Sequence, residues 1–191
     1  LKIWLLRHAE SEWNAAGRWQ GHGDPGLSAG GREAARASAP SIAARVARAG
    51  REIRLFSSDL RRSVETAAFV AEAAGVAATA VRDLRELDVG AWTGLTRAAI
   101  EARDGALLAA FESEEADVRP GGGETRRELR QRVRAAALRL ARENAGADLL
   151  LVVHLGVVRA LLPGSEPDHL ELLETDPEAI RRVQAFAALP R

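Results

Sequence analysis

The sequence predicts an α/β fold, a three-layer α/β/α sandwich around a mainly parallel central sheet. Three observations predict it. Short apolar runs alternate along the chain with longer helical segments, the pattern of parallel strands joined by crossovers. One run, LLLVV from Leu149, is continuously apolar, as a strand covered on both faces must be. Three runs also stop in polar groups, at Arg7-His8, at Ser57-Ser58 and at His154. Sheets of this kind bind ligands beyond the carboxyl ends of their strands, so three distant segments deliver polar groups to one rim.

LKIWLLRH reads as a first short buried strand, apolar until Arg7. The stretch GRWQGHGDPGLS, Gly17 to Ser28, is a loop by its Gly and Pro content. Ser28 is an N-cap for an Ala-rich helix to about Gly50, which Pro40 is expected to kink or divide. REIRLFSSDL gives a second strand, after which Ser58 or Asp59 caps a helix carrying Arg61, Arg62, Val64 and Phe69. A short strand falls near Ala78 to Arg82, then an irregular loop, LRELDVGAWTG, then short helices over 96–116. RPGGGE, Arg119 to Glu124, is a break. Thr125 and Glu128 have capping-box spacing at the head of a helix to about Asn144. After the strand at Leu149, VVRALL enters a helix, and Asp176-Pro177-Glu178 opens a last one.

The 191 residues suit one well-buried domain. The 27 basic and 27 acidic side chains cancel, which argues against a broad electrostatic footprint for nucleic acid or an anionic membrane. With no Cys, the chain has no disulfide, thiolate metal site or thiol nucleophile. No stretch approaches a membrane span, and Arg7 and His8 interrupt any signal-peptide pattern, so the expected setting is the cytoplasm.

The rim residues form a coherent set for phosphoryl chemistry. Arg7 and Arg62 supply forked donors that match phosphate oxygens, and Asn14 adds neutral ones. A neutral imidazole attacks phosphorus and divides one displacement into two through a covalent intermediate. A carboxyl group such as Glu86 protonates the leaving oxygen and then deprotonates water. Taken singly, each has a plainer explanation. A strand-end histidine is more often structural, and Glu86 has Arg82 and Arg85 as ready ion-pair partners. His22 and His169 are expected in solvent, with His22 a weak candidate for substrate contact. Trp92 is expected to pack a loop, and Trp19 to wall a pocket.

RHAESEWN at Arg7 resembles the RHGE-type signature of the histidine phosphatase superfamily, which includes the phosphoglycerate mutases. SSDLRRSVETA, LRELDVGAWTG, GGGET and VVHLGVVRAL resemble four further motifs of that family, in family order over about residues 1–162. The resemblance implies a phosphoglycerate mutase-like fold, with His8 as the nucleophile that becomes phosphohistidine. It implies Glu86 as proton donor and His154 as its catalytic partner in the phosphate pocket. Arg7, Asn14 and Arg62 are implied as phosphate ligands, with Gln20, Gly21 and the Leu155 backbone lining the pocket. Arg61, the other half of the doublet, is read as solvated or ion-paired, and Arg132 as the partner of a carboxylate near the site.

Departures are Ala9 and Leu155, where the family commonly has Gly, and a tail after about 163 without the usual closing strands. The implied organisation is a single domain, 1–191, with a small cap over about 96–123. The implied activity is a metal-independent and cofactor-free phosphomonoesterase acting on a small phosphate ester. Phosphoglycerate mutase-type transfer is the alternative, disfavoured by the short chain between Glu86 and Glu124, and an idle phosphate binder is a third reading. The oligomeric state is left open, with a homodimer as one option.

Overall fold

A computed structural model of the chain describes residues 1–113 and 115–183. Its strands are β1 (Ile3–Arg7), β2 (Ile53–Ser57), β3 (Ala78–Ala80), β4 (Asp148–Val153) and β5 (Leu172–Thr175). Its helices are α1 (Glu12–Ala15), α2 (Ala29–Ala47), α3 (Arg61–Ala74), α4 (Arg97–Glu112), α5 (Arg126–Glu143), α6 (Leu155–Leu161) and α7 (Pro177–Arg182). The sheet runs β3-β2-β4-β1-β5, with every neighbouring pair parallel except β1 and β5.

Side-chain alternation along the central strands builds the layers. Ile3, Leu5, Leu149, Leu151 and Val153 face one way, onto Leu129, Val133, Ala136 and Leu140 of α5, Val157 of α6 and Ile180 of α7. Trp4, Leu6, Leu150 and Val152 face the other way, onto Ile42 and Val46 of α2 and Val70 of α3. All six β4 residues are buried, which explains the uninterrupted apolar run. Truncating such a residue, for example Leu151→Ala, costs about 2–5 kcal/mol.

The site depends most on the adjacency of β1 and β4. They pair in parallel with Arg7 opposite Val153, and the His8 N–H donates to the Val153 carbonyl at 2.9 Å. The next residues on the two strands, His8 and His154, therefore leave the sheet side by side.

Three local expectations are corrected. Pro40 does not divide α2, which runs unbroken from its Ser28 cap. Pro40 faces solvent, while Ala39, Ile42 and Val46 anchor the opposite face. Neither Ser58 nor Asp59 is the N-cap of α3. That residue is Leu60, and the Arg61 N–H is met instead by the Asp24 carboxylate at 2.6 Å. Within α4 the backbone leaves helical geometry at Asp104, so 97–112 is two helical stretches meeting at a kink, as the short helices expected over 96–116 require. The tail does contribute a closing strand, β5. It is only four residues long, and its charged Glu174, paired with Lys2, suits a sheet edge but hides the apolar pattern.

Candidate active site

Beyond the ends of β1 and β4 lies a cavity of about 480 Å³ lined by His8, Arg7, Asn14, Arg62, Glu86 and Leu155, with Gln20 and Gly21 also in its wall. His154 is fully buried and does not line it, but its ring centroid is 5.1 Å from that of His8. The structure thus brings every predicted site residue to one place.

His8 is 3% exposed, and its Nδ1 lies 2.7 Å from the Ala9 carbonyl oxygen. A carbonyl only accepts, so the neutral ring carries its proton on Nδ1 and keeps the Nε2 lone pair free. Burial, and then the Arg62 charge, hold the His8 pKa well below the usual imidazole value. The same two causes, in the same order, hold His154 low. His154 Nε2 lies 3.3 Å from Ser63 Oγ on α3, and its Nδ1 has no hydrogen-bond partner among the described residues.

Arg62, on the first turn of α3, is fully buried. It donates to the carbonyls of Gly21 (2.9 Å) and Gly23 (2.8 Å), tying the loop to the site. Burial pushes its pKa down to about 10, so it stays cationic at neutral pH. Gly21 sits at φ +48°, and a Cβ there would come within 2.9 Å of the Val89 nitrogen. Arg7 donates from Nη1 to the Pro167 carbonyl at 2.8 Å, and burial lowers its pKa too. Asn14 Oδ1 accepts from the Ser11 N–H at 3.0 Å in the capping box of α1, and the Ser11 hydroxyl lies 2.6 Å from Gln20 Oε1.

Glu86 is held from several sides. Its Oε2 accepts from the Gly156 N–H of α6 at 3.0 Å. Arg132 Nη2 and His22 Nε2 both donate to its backbone carbonyl, at 3.2 and 2.9 Å. Arg132 also binds the Glu124 carboxylate (2.6 and 2.9 Å) and the carbonyls of Asp83 and Arg85. Arg85 does not pair with Glu86 but makes a bidentate ion pair with Asp59, at 2.7 Å on both arms. Arg61 is exposed and paired with Glu65.

Two histidines differ from expectation. His22 is a prop under Glu86 rather than a solvated side chain or a cavity residue. His169, expected in solvent, is half-buried with its ring centroid 5.7 Å from that of His8. Ser63, Thr66 and Gly156 are further site residues that the sequence reading did not single out. Thr66 Oγ1 accepts from the Ala9 N–H at 3.1 Å. All three lie inside the quoted motifs, which was their only signal. Among the described residues no cluster of three or more His, Asp or Glu could hold a metal ion, and no helix is long and apolar enough to cross a membrane.

Paired imidazoles, two guanidiniums and a carboxyl at the mouth of a parallel sheet define a phosphoryl-transfer protein of the histidine phosphatase type. Residues 3–186 match the histidine phosphatase superfamily (branch 1), and the chain belongs to that family, a phosphoric monoester hydrolase of phosphoglycerate mutase-like fold. It is 34% identical over 168 residues to phosphoglycerate mutase-like protein 4 of Arabidopsis thaliana, covering 87% of this chain and 71% of that protein. It is 35% identical over 162 residues to a metal-independent phosphoserine phosphatase of the same plant, covering 84% of this chain and 66% of that protein. Among solved structures, a mycobacterial glucosyl-3-phosphoglycerate phosphatase in complex with VO3 superposes with a TM-score of 0.78 at 30% identity, covering 91% of each chain.

Proposed function

We propose that the protein hydrolyses the phosphate ester of a small metabolite, without a metal, through a phosphohistidine intermediate. The observation that carries this reading is the fixed tautomer of His8, whose Nε2 lone pair is free at the cavity wall while Nδ1 is committed to the Ala9 carbonyl. Nε2 attacks phosphorus, the ester P–O bond breaks, and the leaving oxygen takes the Glu86 proton. Water then attacks the phosphohistidine, Glu86 accepts its proton, the P–N bond breaks, and inorganic phosphate leaves. Arg7 and Arg62 supply positive charge to the equatorial oxygens throughout, and His154 adds a neutral donor.

Relatives named as phosphatases of phosphoserine and of glucosyl-3-phosphoglycerate support a small phosphorylated metabolite as substrate. The segment over about 96–123 acts as the cap, contributing Phe111 to a cavity wall that also holds Trp19, Leu129 and Leu155. A wall with this apolar share favours a substrate with an apolar face beside its phosphate. The reaction belongs to the cytoplasm, where phosphorylated metabolites are made and consumed.

Incubation with 3-phosphoglycerate and with a panel of phosphorylated metabolites, in chelator, tests the reading. Release of inorganic phosphate from panel members is expected. Conversion of 3-phosphoglycerate to 2-phosphoglycerate without phosphate release would replace hydrolysis with mutase chemistry.

A further inference from the structure

Among the described residues His8 makes only one hydrogen bond through its ring, and a single bond fixes one atom rather than the plane. The plane is set by packing. On one side stands His154, with centroids 5.1 Å apart and planes at 63°; on another stands His169, at 5.7 Å and 42°. We propose that His169 is a positioning residue for His8, holding the nucleophilic ring in the orientation from which Nε2 meets phosphorus. The inference rests on the phosphohistidine reading above and adds to it a third imidazole, from the tail.

The backbone around His169 is built to present it there. The segment before β5 folds back on the end of β1. The Leu170 N–H donates to the Arg7 carbonyl at 2.9 Å, the Arg7 N–H to the Glu171 carbonyl at 3.3 Å, and Arg7 Nη1 to the Pro167 carbonyl at 2.8 Å. The Asp168 N–H donates to the Glu171 carboxylate at 2.8 Å, closing the turn. Leu170 sits at φ +64°, the sole non-glycine positive φ among the described residues. A leucine persists in that region only where its surroundings over-determine it. Here they do, because its side chain packs beside Ala9, Leu27 and Ala35 while its N–H is held by Arg7. The strain thus lies next to the residue whose direction it sets.

The chemistry of the ring gives a second consequence. His169 Nε2 is buried without a hydrogen-bond partner among the described residues, so the position carries a desolvation penalty that a hydrocarbon ring would avoid. The charged and titratable groups acting on it are His8 and Arg7 from the end of β1, Glu10 just beyond, and Asp168 from its own turn. Burial and Arg7 lower its pKa, while Glu10 and Asp168 raise it. Two imidazoles this close resist being protonated together, so His169 helps His8 remain neutral, and nucleophilic, as the pH falls.

The test compares wild type, His169→Ala and His169→Phe on 4-nitrophenyl phosphate across pH, with thermal melts of each. His169→Ala, which removes the packing, is expected to lower kcat about tenfold with KM within about twofold. His169→Phe keeps a ring but not the charge, so kcat near neutral pH stays close to wild type while the acid limb of kcat/KM moves to higher pH. Where the Ala variant fails to fold, the acid limb of the Phe variant decides. An Ala variant with wild-type kcat, a loss confined to KM, or an unmoved acid limb in the Phe variant overturns the inference. A wild type that neither turns over nor phosphorylates His8 overturns the phosphohistidine reading itself.

Discussion

At the residue scale the proposed reaction divides the work between His8 and Glu86, and their environments differ accordingly. His8 is buried and neutral, with its reactive nitrogen selected by a backbone acceptor. Glu86 lines the cavity with one carboxylate oxygen on the Gly156 N–H and the other 2.8 Å from the Leu87 N–H. A Gln at this position keeps an oxygen for Gly156 but has no proton to give. Glu86→Gln should therefore lower kcat/KM for an alkyl phosphate by about 10²–10⁴, the usual size of general acid catalysis. For 4-nitrophenyl phosphate, whose leaving group departs without protonation, the loss should be about tenfold or less. Steady-state phosphate release on the two esters checks this, because kcat/KM reports only steps up to phosphorylation of His8. Equal losses on both would remove Glu86 from the acid role. The individual side chains were legible because His8, Arg62, Glu86 and His154 each sit inside a motif. His22 and His169 were not, since neither a Gly-rich loop nor a polar tail shows which of its residues turns inward.

The elements convert those side chains into a site through close backbone approaches. Helix α6 meets Glu86 at Gly156, where an added Cβ would lie 2.2 Å from Glu86 Oε1. Alanine favours a helix over glycine by about 1 kcal/mol, so Gly156→Ala should leave the melting temperature unchanged or raised. The methyl group nevertheless displaces the carboxylate, and kcat/KM for an alkyl phosphate should fall at least about tenfold. Melting curves and kinetics on one preparation check both halves; a fully active Gly156→Ala enzyme would place Glu86 elsewhere during turnover. At this scale the sequence marked what local physics controls. The Thr125/Glu128 capping box, the Ser28 cap and the strand β4 follow from short-range chemistry and stand as read. The cap of α3 did not, because Asp24 reaches it from a loop 37 residues away. Strand β5 was hidden because four residues carrying a Glu give too short an alternation to recognise.

Two buried, neutral histidines also shape the stability of the whole molecule. In the unfolded chain each imidazole titrates near 6.5, whereas in the native state both pKa values lie well below that. Below about pH 6.5 the unfolded state takes up protons that the folded state declines. Their contribution is therefore fully present above that pH and is lost as pH falls toward the folded-state values. Urea unfolding at pH 5.5 should show a free energy about 1–3 kcal/mol lower than at pH 7.5. The His8→Gln/His154→Gln double variant should lose most of that slope, and a wild type with no slope would contradict the burial of neutral rings. The overall class was legible from strands alternating with helices, but the strand order was not. That β1 lies against β4, far along the chain, is a matter of tertiary packing. That the two histidines reach one rim followed from where their strands end, whereas their meeting side by side there was implied by the family motifs alone.

The central claim is that His8 Nε2 becomes bonded to phosphorus during turnover. Rapid acid-free quenching of the enzyme with a fast phosphate ester, followed by peptide mass spectrometry, tests it most directly. The account predicts a phosphoryl group on the peptide carrying His8, stable in base, labile in acid, and absent from His8→Ala. An unmodified His8 peptide together with undiminished turnover by His8→Ala would contradict it.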